Sequence, residues 1–283
     1  MINDIVVERI FCFMEQTDFA FLDSGTGGIP YMLDLKEKQP DATCVYLGDT
    51  AHFPYGEKSP GEVVECATGA ISLIIREWNP RTLVIACNTI SVEALPVLRE
   101  RFPALKIVGT VPAIKLGAKV TRNGKIGLVA TSATVSNGYT RKLIEEFAAD
   151  CDVFLRADPE LVHFVERRLI SATEKEREDA VRKSVDFFRE KGCDTIILGC
   201  THFTHLADTF RRVAGNEISI VDSRNGVSNR ALTITERDSD EEHLPSDCAF
   251  FVTAATEEEE KEYRALCRCC SIPWGGTIRL PEN

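Results

Sequence analysis

Two stretches of this chain repeat one pattern position by position. Thr82-Leu-Val-Ile-Ala-Cys87-Asn-Thr89 and Thr195-Ile-Ile-Leu-Gly-Cys200-Thr-His202 each read Thr, three aliphatics, a small residue, Cys and two polar residues. A short aliphatic run closed by a small residue is a buried strand, and the polar residues after it open a turn. The two cysteines are 113 residues apart, too far for a solenoid repeat but suited to a duplicated half. In open parallel sheets ligands bind beyond the carboxyl ends of the strands, so two facing halves could present both thiols to one cleft.

The rest of the chain fits that frame. β-branched runs at Asp18 to Asp23, Thr43 to Leu47, Thr82 to Ala86, Lys106 to Thr110, Lys125 to Ala130, Asp152 to Arg156, Thr195 to Leu198, Ser219 to Asp222 and Cys248 to Thr253 alternate with amphipathic stretches such as Ser59 to Trp78 and Glu174 to Lys191. This predicts an α/β fold of two pseudo-symmetric domains with mainly parallel sheets and an active site in the interdomain cleft. Crossings near Pro112 and Asp222 set the expected domains at 1–111 with 222–283, and 112–221.

Composition narrows the function classes. Lys and Arg total 33 against 44 Asp and Glu, a net charge of −11, which disfavours nucleic acid and anionic membranes as partners. No apolar run reaches the ~20 residues of a membrane span, and Asp4, Glu8 and Arg9 break the apolar start. Eleven cysteines, an odd number spread along the chain, suit reduced thiols in the cytoplasm. Only Cys267-Arg-Cys269-Cys270 crowds thiols, without the second pair that zinc requires, so no metal is expected. The acidic runs Asp238 to Glu242 and Glu257 to Glu260 read as solvated helix face or loop.

A lone thiol at a strand end is commonly a small buried hydrophobe; a matched pair followed by hydrogen-bonding residues points to chemistry. Asn88, Thr89 and Thr201 are short donors or acceptors for an anionic ligand, and His202 can relay a proton. Phe21-Leu-Asp23-Ser24-Gly25-Thr26-Gly27-Gly28 leaves a strand into a glycine-rich turn that is neither a dinucleotide fingerprint nor a Walker loop. It reads as a backbone nest for a carboxylate, with Asp23 as a candidate acid or base. Gly48-Asp49-Thr-Ala-His-Phe-Pro-Tyr55-Gly56 forms another strand-end turn. A cysteine phosphatase is disfavoured, because Glu93 and Leu206 stand where its arginine would be.

These blocks, FLDSGTGG, GDTAHFPYG, ACNT, GCTH and Val221-Asp222-Ser223, resemble in order and spacing the cofactor-independent glutamate racemases of the aspartate/glutamate racemase superfamily. The resemblance covers about residues 20 to 255. It implies that Cys87 and Cys200 are acid/bases on opposite faces of the substrate carbon and that no cofactor is used. Asp23, Asp49, Glu166 and His202 would support proton transfer or substrate charge. Asp23, Ser24, Tyr55, Gly56, Asn88, Thr89, Thr201 and His202 would bind the amino acid. It further implies a homodimer in the cytoplasm that makes D-glutamate for peptidoglycan. The family's usual Tyr-Pro after GCTH is Phe203-Thr204 here, and its usual Cys before Pro159 is Asp158. Two other readings compete: a racemase for another amino acid such as aspartate, against which His202 speaks, and a non-catalytic binding protein that kept the cleft.

Overall fold

A computed structural model describes residues 16–236 and 248–280 of the chain. The N-terminal apolar segment and the acidic run Asp238 to Glu242 lie outside the described residues. Among the described residues ten strands fall in two sheets. They are β1 (Phe19–Asp23), β2 (Cys44–Gly48), β3 (Thr82–Ile85), β4 (Lys106–Gly109), β5 (Lys125–Ala130), β6 (Asp152–Ala157), β7 (Thr195–Leu198), β8 (Ser219–Val221), β9 (Ala249–Val252) and β10 (Trp274–Thr277).

The first sheet has the order β10-β9-β2-β1-β3-β4 and the second β6-β5-β7-β8, and every pairing is parallel. Strands β2-β1-β3-β4 and β6-β5-β7-β8 follow the same order, so β1 corresponds to β5 and β3 to β7. This is the α/β architecture of paired parallel sheets that the repeated segments predict. The chain leaves the first sheet after Gly109 and returns to it after Val221.

Burial on both sheet faces explains the unbroken aliphatic runs: all four residues of β3 and of β7 are buried. Helix Pro60–Trp78 packs Val63, Ala67, Ala70, Ile71 and Ile74 against the first sheet. It starts where it does because Ser59 and Glu62 form a capping box, with proline in the first turn. In the second half, Val181, Val185 and Phe188 of helix Glu174–Glu190 cover β5 and β7, and Thr173 with Glu176 caps that helix in the same way.

The tail departs from the sequence reading in one respect. Trp274–Thr277 forms an additional edge strand, unforeseen because Gly275 and Gly276 interrupt any apolar alternation and Gly276 takes a positive φ of 105°. Glu257 to Glu260 form the first turn of helix Glu257–Cys270, where carboxylates suit the helix dipole. Cys267 is buried in the core beside Tyr263 and Leu266. The ten cysteines among the described residues are all free. Among the described residues no helix is long and apolar enough to cross a membrane.

Two glycines test the packing. A Cβ on Gly69, inside helix Pro60–Trp78, meets nothing within 4 Å, whereas one on Gly127 of β5 would lie 2.4 Å from the Phe188 ring. Gly69→Ala should therefore raise stability by about 0.5–1 kcal/mol. Gly127→Ala should lower it by about 1–3 kcal/mol. Urea unfolding of the two variants measures both signs.

Candidate active site

Cys87 and Cys200 stand two residues beyond the ends of β3 and β7, and both line one cavity between the halves. Ser24, Tyr55, Gly56, Asn88, Thr89, Thr201 and His202 line it as well, so these nine sequence-singled residues converge. Its free volume is about 20 Å³, room for little more than one water. Thr131 and Ser132 complete the wall. Val129 pairs with Leu198 as Leu22 pairs with Ile85, so Thr131 stands where Ser24 does and Ser132 where Gly25 does, and the duplication already contained the signal for them.

Asp23, Asp49 and Glu166 do not line the cavity; each lies behind it and holds a residue that does. Asp23 is fully buried. One of its oxygens accepts from the Ser24 backbone N–H at 2.5 Å and hydroxyl at 3.1 Å, and the other accepts from the Thr201 hydroxyl at 2.8 Å. Burial pushes its carboxyl above the usual range, against the pull of His202 and Thr201. Asp49 accepts from the Tyr55 hydroxyl, from Thr253 at 2.8 Å and from His52 Nδ1 at 2.8 Å. It thereby fixes the turn that carries Tyr55 and Gly56.

Glu166 belongs to helix Pro159–Arg168 of the second half, yet its Oε2 accepts from the Thr26 backbone N–H at 2.8 Å and hydroxyl at 2.7 Å. The glycine-rich turn is a nest for a carboxylate, and the carboxylate it holds is the protein's own. A Cβ on Gly25 would lie 2.5 Å from Glu166 Oε2, and one on Gly27 2.3 Å from His202 Nδ1. Glycine is required at both by close approach. Tyr46 pins the turn by donating to Gly25 O at 2.8 Å and accepting from Gly28 N–H at 2.9 Å.

His202 links this nest to a thiol: Nε2 faces Glu166 Oε2 at 3.0 Å and Nδ1 faces Cys200 Sγ at 3.9 Å. Burial works against its charge, but the bonds to Cys200 and Glu166 and the nearby Asp23 raise it well above the ordinary histidine value. Burial also opposes charge on Glu166, and His202 with Thr26 outweighs it, holding that carboxyl below the usual range. His205, half-buried and bonded to Thr26 O at 2.9 Å, is pushed down by desolvation to about 4.

The environment of Cys87 differs. Burial and then the charge of Asp23 push its thiol well above the ordinary range, although the backbone amides of Ile90 and Ser24 beside the sulfur act the other way. It caps helix Asn88–Arg101. The buried Asn88 amide finds no partner for its nitrogen or oxygen among the described residues, an arrangement that suits a polar ligand in the cavity. Thr89 bonds Thr131 across the cleft at 3.0 Å, and at the rim His163 faces Glu57 at 3.2 Å.

Neither sequence departure reaches the cavity. Asp158 caps helix Pro159–Arg168 and accepts from Ser184 at 2.6 Å, while Phe203 is buried in the second core and Thr204 bonds Thr201 O. Among the described residues no three His, Cys, Asp or Glu side chains converge as metal ligands. The residues that sequence reasoning missed are Thr26, Thr131, His205 and Tyr263, the last donating to Glu166 from the tail helix.

Two thiols at equivalent strand ends of a duplicated α/β fold, meeting at one cavity, match a known group of isomerases. The chain belongs to the Asp/Glu/Hydantoin racemase family, whose model matches residues 34–225, and it is an amino-acid racemase. Glutamate racemase of Treponema pallidum is 38% identical over 265 residues, covering 93% of this chain and 97% of that protein. The enzyme of that name from Proteus mirabilis is 40% identical over 210 residues, covering 74% of this chain and 72% of that one. Among solved structures, Escherichia coli glutamate racemase in complex with L-glutamate and the activator UDP-MurNAc-ala superposes with a TM-score of 0.83 at 30% identity. That match covers 95% of this chain and 100% of the other.

The contact at Gly27 gives a direct check on the placement of His202 between Cys200 and Glu166. Gly27→Ala should displace the His202 ring from Cys200 and Glu166, lowering stability by about 1–3 kcal/mol. NMR titration of the imidazole should show its proton affinity falling back towards the ordinary value of ~6.5; an unmoved titration would contradict the contact.

Proposed function

We propose that the chain interconverts L- and D-glutamate by moving the α-proton between Cys87 and Cys200, without a cofactor. The observation that carries this reading is that both sulfurs, each at the end of an equivalent strand, line the same small cavity. Inversion needs two acid/bases, because a single base returns the proton to the face it left. A thiolate on one face removes the proton and a thiol on the other delivers one.

The two sulfurs sit in unequal surroundings, and that inequality supports a starting state. The Cys200 sulfur faces His202, whose imidazole is raised well above the ordinary value and is paired with Glu166, so a cation stands beside that sulfur. Cys87, raised by burial and Asp23, holds its proton and is ready to donate. After one turnover the states are exchanged, and Asp23 and His202 allow each site to recover. The α-ammonium of an amino acid would bring a positive charge close to Asp23 and favour ionisation of Cys87 for the reverse direction.

An α-proton beside a carboxylate is a very weak acid, so donors must stabilise charge that develops on the substrate. Asn88, Thr89, Ser24 and Thr201 surround the cavity for that purpose, and the N-terminus of helix Asn88–Arg101 favours a carboxylate. Tyr55 and Gly56 complete the wall for the distal end of the substrate. General acid and base positioning supplies ~10² to 10⁴-fold; the donors and exclusion of water supply the rest.

Glutamate as substrate rests on the named relatives. The wider reading of a cytoplasmic homodimer that serves peptidoglycan assembly follows the family resemblance. Complementation of a D-glutamate auxotroph tests the cellular part.

In deuterated water, L- and D-glutamate should reach the same racemic end point with deuterium at the α-carbon, followed by circular dichroism and mass spectrometry. L-Aspartate should remain unchanged. Cys87→Ser and Cys200→Ser should each lower racemisation by at least ~10²-fold, and inversion retained in both would reject the assigned bases.

A further inference from the structure

The mechanism above uses one oxygen of Glu166. Oε2 takes Thr26 and His202, while Oε1 accepts from the Tyr263 hydroxyl at 3.1 Å. Tyr263 lies on helix Glu257–Cys270, 97 residues further along the chain, in a tail whose motifs the family resemblance did not include. Its ring is buried, stacked on Trp274 at 6.0 Å and edge-on to Phe250 at 5.7 Å.

A carboxylate bonded through one oxygen retains rotation about its terminal bond, and a donor on the second oxygen removes it. Burial and the neighbouring Glu166 charge push the Tyr263 phenol far up, so the hydroxyl remains a neutral donor. We propose that Tyr263 is a positioning residue for proton transfer at Cys200: its hydroxyl fixes the Glu166 carboxylate, which in turn fixes the His202 ring against the sulfur. The inference rests on the two-thiol reading above. It gives the tail helix a function in the racemase site, reached through an unbroken line from Tyr263 to Glu166, His202 and Cys200.

The charged and titratable surroundings set the sign of the effect. Glu166 is faced by Asp23, Tyr46, His202, His205 and, from the tail helix, Glu262 and Tyr263; Glu259 lies near the phenol and Arg167 adjoins Glu166 on its own helix. A donor to an anion stabilises the anion, so deleting it strengthens proton binding throughout the coupled set. The pH profile of kcat/KM should therefore move to higher pH when the hydroxyl is removed.

Tyr263→Phe deletes the hydroxyl and keeps the ring packing. Loss of a hydrogen bond to a charged group should lower kcat/KM by about tenfold. Because both directions share one transition state and an equilibrium constant of unity, the loss must be equal for L- and D-glutamate. Thermal unfolding should remain close to that of the parent. Trp274→Leu loosens the same ring without touching the hydroxyl, and should lower the melting temperature while leaving the pH profile in place.

A Tyr263→Phe variant with the parent's rate and profile overturns the inference, as does a Trp274→Leu variant that shifts the profile equally. Assay of the parent separates the two levels: no racemisation of glutamate rejects the underlying function, whereas an active parent with an unaltered Tyr263→Phe variant rejects only the role of Tyr263.

Discussion

Two buried carboxylates, each shared between the halves, set the geometry of the site. Asp23 ends a central strand of the first sheet and accepts from Thr201 of the second half; Glu166 belongs to the second half and accepts from Thr26 of the first. A hydrogen bond to a charged group contributes about 1.5–3 kcal/mol, so these reciprocal bonds define a narrow range of relative positions. With the halves held this way, equivalent strand ends face one another and their thiols share a cavity. The remaining wall residues inherit their places from the same register.

The duplicated backbone carries unequal electrostatics. At the first strand end, β1 contributes Asp23 beside Cys87; at the equivalent point of the second sheet, β5 contributes the neutral Ala130. The compensating charge near Cys200 is His202, reinforced by Glu166 from a helix. A racemic equilibrium does not require a symmetric enzyme. It requires only that one transition state be reachable from both enantiomers, and an acidic neighbour at one sulfur with a cationic neighbour at the other satisfies that condition.

What could be read from the chain follows the range of the interactions. The strands, their duplication and the two thiols were legible because each is written in a few consecutive residues: aliphatics buried on both sides, then a small residue and Cys. The roles of partners were much less so. Glu166 meets Thr26 across 140 residues and Tyr263 across 97, and no local pattern encodes either contact. Asp49 illustrates the same limit: its strand-end motif is plain, but only the fold brings Thr253 to it and turns it away from the cavity. Thr131 is the instructive case, since aligning Ala130-Thr131-Ser132 with Asp23-Ser24-Gly25 makes it the counterpart of the cavity residue Ser24.

The small cavity bears on how an amino acid enters. With room for little more than one water, the cavity would admit an amino acid only if some contact between the halves yields. The contacts differ greatly in cost. Glu57 and His163 close the rim through an exposed pair, with side-chain accessibilities of 57% and 41%; exposed pairs contribute only about 0–1 kcal/mol. The bonds of Asp23 and Glu166 at the floor are buried and charged, and stranding either carboxylate costs several times more. Opening at the rim, with the floor kept together, is therefore the least costly route. Such an opening would lie on the side of Glu57 and His163 and leave the contacts among Cys200, His202 and Glu166 in place.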